Sequence, residues 1–165
     1  MAFDTYITIK DIEGEVVAAG VEKSIEIYSF SWGVSAPVTP GSTGGTALSA
    51  GKAQMSSFNI MKKVDKASAK LFQSVADGKQ INEATVTMRK AGGDAGQAAF
   101  LVYEFTDLLV ESVQWSGSSG GDDTPTESVS LAFAKCQIEY TMYDLKGTPS
   151  KGGQAAWDLH KLTNK

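Results

Sequence analysis

The sequence predicts a mainly β domain, a barrel or sandwich carrying one helix. Apolar and polar residues alternate with a period of two through most of the chain, as half-buried antiparallel strands require. Only one segment shifts to helical spacing. Stretches rich in Gly, Ser, Thr and Pro separate the alternating runs, and about seven strands with a lone helix favour a closed or two-layered β architecture.

In chain order, Phe3, Thr5, Ile7 and Ile9 alternate with Asp4, Tyr6, Thr8 and Lys10 in the first strand. Ser24 to Trp32 is the second, with Tyr28, Phe30 and Trp32 on one face and Ser29, Ser31 and Gly33 on the other. A loop over 34–51 follows, too long for an ordinary hairpin connection. After a strand over Gln54 to Met61 comes DKASAKLFQSVADG, where Ala67, Leu71, Phe72, Val75 and Ala76 recur at helical spacing. This predicts a helix over about 66–77, with Asp65 placed to cap its start and Gly78 to end its last turn. Glu83 to Lys90 is the next strand, followed by a loop over 91–98.

In Phe100 to Leu109, Leu101, Tyr103 and Phe105 share a face until Asp107 interrupts them, predicting a bend or bulge near Thr106. A short strand over Glu111 to Trp115 precedes a loop over 117–125. Val129, Leu131 and Phe133 then alternate with Ser128, Ser130, Ala132 and Ala134, and Cys136, Ile138, Tyr140 and Met142 with Lys135, Gln137, Glu139 and Thr141. A last loop over 146–154 precedes AAWDLHK. No repeat and no compositional boundary divides the chain, so residues 1–165 form one domain.

At 165 residues such a domain buries roughly 70% of the surface its unfolded chain exposes. The 42% hydrophobic and 21% charged content is ordinary globular usage. The net charge of -4, with no basic stripe, removes the electrostatic footprint of a nucleic-acid binder. MAFDTYITIKD lacks a signal-peptide pattern and no apolar run is long enough to span a bilayer, so synthesis in the cytoplasm and export by a non-standard route are expected. A single cysteine and a single histidine exclude an intrachain disulfide, a multi-thiolate site and a His-rich metal cluster.

GSTGGTALSAGKA, residues 41–53, resembles a phosphate-binding loop only superficially. Gly45 to Gly51 encloses one residue too many, Lys52 is followed by Ala53 instead of a hydroxyl, and the stretch leads into a strand where a phosphate loop opens a helix. Asp158 near His160 suggests a hydrolase pair, but no G-x-S-x-G element presents a nucleophile. Cys136 falls on the apolar side of its strand, as an inert core thiol does. Asp122 and Asp123 supply too few oxygens for calcium. Tyr28, Phe30 and Trp32 could stack bases, yet almost no Lys or Arg is interleaved with them. The expectation is a non-enzyme without metal or cofactor. Ser29, Ser31 and Gly33 suit either a smooth channel wall or an ordinary solvent-facing sheet.

FDTYITI with IEGE, FSWGVS, KKVDKASAKLF with the following GK, RKAGG, PTESVSLAFAKCQIEY and AWDL, in this order along nearly the whole chain, resemble the haemolysin-coregulated protein family. KKVDKASAKLF and TESVSLAFAK are the most specific of these blocks. The resemblance implies a β-barrel of two antiparallel sheets with one flanking helix. It also implies a homo-hexameric ring that stacks with further rings into the inner tube of the type VI secretion apparatus. The implied partners are the spike protein, sheath and baseplate components, and effector proteins held in the lumen, with neither nucleic acid nor membrane insertion.

Within that scheme Ser29 and Ser31 are the candidates for the lumen face. The loop over 34–51 is the candidate assembly arm, with Val38, Thr39, Thr43, Thr46 and Leu48 as contact residues by position and composition. VVAAGVEKS, Val16 to Ser24, departs from the family pattern in being less charged, so no contact is carried over to it. Two other classes compete with this reading: a monomeric carbohydrate- or peptide-binding β module, and a hydrolase dependent on His160.

Overall fold

The computed structural model describes residues 3–41, 48–90, 98–121 and 123–164. In chain order these form β1 (Phe3–Ile9), β2 (Ile25–Ile27), β3 (Ser29–Ser31), β4 (Val34–Ser35), β5 (Val38–Pro40), β6 (Leu48–Ala50), β7 (Gln54–Met55), β8 (Phe58–Lys63), α1 (Ala67–Asp77), β9 (Gln80–Lys90), β10 (Ala98–Ser116), β11 (Thr126–Tyr143) and β12 (Pro149–Asp158). The mainly β, antiparallel prediction with a lone helix holds for these residues.

One large sheet runs in the order β2-β1-β9-β10-β11-β8-β3, with β12 also paired to β11, and two small ribbons, β4-β7 and β5-β6, lie outside it. Its terminal strands, β2 and β3, are the same stretch of chain separated only by Tyr28. The sheet therefore curls until its ends meet covalently, although no hydrogen-bonded ladder joins them. "Barrel of two sheets" describes this loosely: a single rolled ladder is nearer the geometry.

The bend at Tyr28 shifts the alternation by one residue. Ile25 and Ile27 point inward, and beyond the bend it is Phe30 and Trp32 that pack against the core. Tyr28, expected on their face, is instead 58% exposed. A second phase change occurs where predicted, near Thr106. Asp107 adopts φ 54°, and the inward set passes from Phe105 to Leu108 and Val110. Opposite it on β11, Leu131 gives way to Ala134 and Cys136. Both strands turn at the same level and continue, so the four shorter strands expected here are two long ones. The register shifts themselves fall between Val110 and Ser112, and between Ala99 and Leu101.

Aromatic packing fills the centre. Phe105 lies 4.6 Å from Phe133 and 4.9 Å from Phe58 between ring centroids, and Trp32 meets Tyr103 at 5.2 Å and Phe105 at 5.3 Å. Such edge and tilted contacts add to the apolar area that Ile7, Ile25, Val86 and Leu131 remove from water.

The helix is framed as its sequence suggests. Asp65 Oδ1 accepts the Ala67 N–H at 2.9 Å while Ser68 Oγ accepts the Asp65 N–H at 3.0 Å. Gly78 takes a left-handed φ of 60°, letting the Gly78 N–H reach Val75 O and the Lys79 N–H reach Ser74 O. Leu71 is fully buried beneath it.

β12 differs from the sequence reading, which ends its loop only at 154. Pro149, Lys151, Gly152 and Gly153 argue against a strand, but an edge position tolerates them. The register slips at Gly152, where a Cβ would lie 2.5 Å from the Tyr140 ring.

Candidate assembly and lumen surface

Ser29 and Ser31 are exposed on β3, as the alternation with Phe30 requires. Strand register extends them into two rows. Ser29 lies beside Met61, Met61 beside Ser128 and Ser128 beside Gln114. Ser31 lies beside Asn59, Asn59 beside Ser130 and Ser130 beside Ser112. None of these residues carries a charge, and Ser130 Oγ donates to Asn59 Oδ1 across the strands. Lys63 borders the face at one end and Glu111, which accepts from Ser57 Oγ at 2.6 Å, at the other. A neutral surface of hydroxyl and amide groups, with the exposed Met61 thioether among them, thus spans β3, β8, the first half of β11 and the second half of β10.

This four-strand segment has two open edges among the described residues. β3 pairs only with β8. The β9 ladder on β10 stops at Leu109, leaving the outer side of Val110 to Ser116 without a strand. Open edges of this kind are templates for another strand. By contrast, the outer edge of β12 carries Pro149, Lys151 and a bulge, the devices that discourage pairing.

The predicted arm is a ribbon. β5 pairs with β6 through Val38↔Ala50, Thr39↔Ser49 and Pro40↔Leu48, and the Gly51 N–H donates to Pro37 O at 2.7 Å. All six strand residues are exposed, Val38 at 57% and Leu48 at 73%. No charged residue occurs between Glu26 and Lys52. Val38, Thr39 and Leu48 therefore stand on one exposed apolar ribbon, while Thr43 and Thr46 lie outside the described residues.

Sequence reasoning missed a buried ionic row beneath the neutral face. Lys62 and Glu127 are each 1% exposed, and Lys62 Nζ lies 2.6 Å from Glu127 Oε1. The ammonium also meets Asp65 Oδ1 at 2.9 Å and Lys63 O at 2.8 Å, with Ser68 Oγ at 3.3 Å. Glu127 Oε2 accepts the Trp115 indole N–H at 2.7 Å. Buried charges persist only when paired and hydrogen-bonded in this way. The signal was present in the sequence: Lys62 continues the inward parity of Phe58 and Ile60, and Glu127 that of Val129 and Leu131.

The remaining chemical candidates dissolve into structure. Asp158 accepts the backbone N–H groups of His160 and Lys161 and stands 3.6 Å from Lys135. Those contacts, the Lys161 N–H foremost, hold its carboxyl below the usual range and make it a turn anchor, while His160 is exposed. Cys136 is 6% exposed, its Sγ 3.5 Å from Met55 Sδ, and burial pushes its thiol pKa up, away from the reactive thiolate. Asp123 is exposed and Asp122 lies outside the described residues. Among the described residues no three His, Cys, Asp or Glu side chains are grouped to hold a metal.

Known proteins resemble this chain in both sequence and fold. A family model described as "Type VI secretion system effector, Hcp" matches residues 6–140. "Protein hcp1" of Pseudomonas aeruginosa strain PAO1 is 34% identical over 162 residues, 98% of either chain. Among solved structures, one described as "Structure of a type six secretion system protein" superposes with a TM-score of 0.91 at 34% identity, covering 99% of this chain and 100% of the other. Hcp1 from Salmonella typhimurium superposes at 0.79 and 30% identity, with all of both chains covered. The chain belongs to the Hcp family of type VI secretion proteins.

Proposed function

We propose that the chain closes into hexameric rings that stack as the inner tube of the type VI apparatus, with the neutral face of β3, β8, β11 and β10 lining the bore. The observation that supports this most strongly is the pairing of that uncharged face with two open edges, β3 on one side and Val110 to Ser116 on the other. A strand edge of one copy meeting the opposite edge of the next is a heterologous contact, the kind that generates rings.

Strand direction favours the same scheme. β10, β11, β8 and β3 alternate in direction, so β3 and β10 run opposite ways within one copy. Rotating copies about an axis along the strands sets β3 of one antiparallel to β10 of the next, and the wall continues without a break in pattern. Stacking is a second heterologous contact, along the axis, and the uncharged β5-β6 ribbon is suited to reach an adjacent subunit or ring.

In this reading the chain performs no catalysis. It is made in the cytoplasm, assembles with spike, sheath and baseplate components, and leaves with the tube carrying effector proteins in its lumen. A bore lined by serines, asparagine, glutamine and the Met61 thioether offers hydrogen-bonding groups, one flexible apolar side chain and little charge, so it lets varied cargo slide without strong capture. Mass measurement across a concentration series tests the ring: six-chain particles are expected, and a strict monomer at high concentration overturns the reading.

A further inference from the structure

Backbone pairing alone leaves the seam between copies poorly specified. A strand edge repeats its hydrogen-bonding pattern every two residues, and a face of small polar side chains does little to resist slippage. The neutral rows here are of that kind, so a ring with one defined geometry needs a side-chain contact that fixes the register.

Exposed aromatic groups stand at both edges of the sheet, at the same end. Tyr28 is 58% exposed and directly precedes β3, one position beyond the Ser29↔Met61 pair and so beside Lys62. Lys62 pairs across with Glu127, and Glu127 with Trp115. At that far edge Trp115 is 48% exposed and lies 6.1 Å from Phe72, itself 55% exposed on α1. We propose that the Tyr28 ring of one copy packs on the Phe72–Trp115 pair of the next, and that this contact sets the register in which neighbouring sheets join.

The inference rests on the ring reading above and adds its seam. Antiparallel pairing of β3 with the neighbour's β10 brings the Tyr28 end of one edge to the Trp115 end of the other, because the row through Lys62 and Glu127 links those two ends within each copy. The receiving pair is held before contact. Glu127 Oε2 fixes the indole N–H, and Phe72 stands on a helix whose neighbouring Leu71 is fully buried. Rigid, partly exposed Tyr and Trp rings are the side chains that dominate contact energies at protein interfaces, since they lose little freedom on binding. Within one copy the two edges are three strand spacings apart, about 14 Å, so Tyr28 and Phe72 are joined only through a second copy.

A double-mutant cycle on the full chain tests this. Y28A and F72A are each expected to raise the concentration at which rings half-dissociate by about tenfold, and the double variant by little more than either alone. Denaturant midpoints of dissociated chains should stay near wild type for all three. Independent effects that multiply, or rings indifferent to both substitutions, overturn the contact while leaving the ring reading in place. A wild-type chain that never assembles overturns both. As a second readout, a short bis-maleimide added to Tyr28→Cys/Phe72→Cys in a Cys136→Ala background should alkylate one thiol from each of two neighbouring copies and yield covalent oligomers. The reagent bridges the gap that two packed aromatic rings leave, which a direct disulfide does not. Assembled rings that remain uncrosslinked contradict the seam.

Discussion

Lys62 is the residue on which the local structure depends most. Its ammonium is wholly enclosed, and its partners come from β11, the start of α1 and its own strand end. It thereby joins the segments KKVDKASAKLF and TESVSLAFAK across the β8-β11 ladder. Removing one member of a buried pair strands the other charge, so Lys62→Met should lower unfolding stability by about 3–5 kcal/mol. Adding Glu127→Leu should restore much of that loss, though the Trp115 indole then lacks its acceptor. Denaturant titration distinguishes the two, and a single variant as stable as wild type contradicts this account of the row. Ser31 sets the opposite case. It is exposed beside Asn59, so Ser31→Gln should leave circular dichroism and melting unchanged while crowding the proposed bore. Early melting of that variant means the side chain faces the core instead.

At the scale of elements, the ribbon β5-β6 is separable from the sheet that holds the core. Deleting residues 39–50 should leave the β spectrum and melting of the domain intact and weaken tube formation, as seen by electron microscopy. Unchanged tubes would show that the ribbon is not the assembly arm. The sequence announced this element by length and composition alone, because an uncharged loop without alternation has no core face to read. It announced α1 better: Asp65, Leu71 and Gly78 each act where their chemistry places them. β1, β8 and the phase change at Asp107 were legible for the same reason, since inward positions alternate with outward ones. The one at Ala134 was not, because the alternation of Val129 and Leu131 carried Phe133 to the inward side and Ala134 to the outward one, whereas the structure buries Ala134. β12 was not, because Pro149, Gly152 and Gly153 are tolerated only through a bulge against Tyr140 that depends on a partner strand. The exposure of Tyr28 was hidden likewise, because a one-residue phase slip leaves no mark in a run of alternating residues.

For the whole molecule, the neutral rows were half legible. Ser29 and Ser31 stood out against Phe30 and Trp32, but Met61, Asn59, Ser128, Ser130, Ser112 and Gln114 join them only through strand register, which no local pattern encodes. The same holds for Lys62 and Glu127, whose inward parity could be read on each strand while their pairing needed the β8-β11 ladder. Register therefore turns separate strands into one uncharged wall with matching open ends, and the proposed ring rests on that wall. Imaging wild-type particles by electron microscopy, at a resolution that separates strands, tests this most directly. Six copies around an open bore are expected, with β3 of each beside β10 of the next and Ser29 and Ser31 facing inward. A closed ring that joins through β12 instead, or one that turns these serines outward, would contradict it.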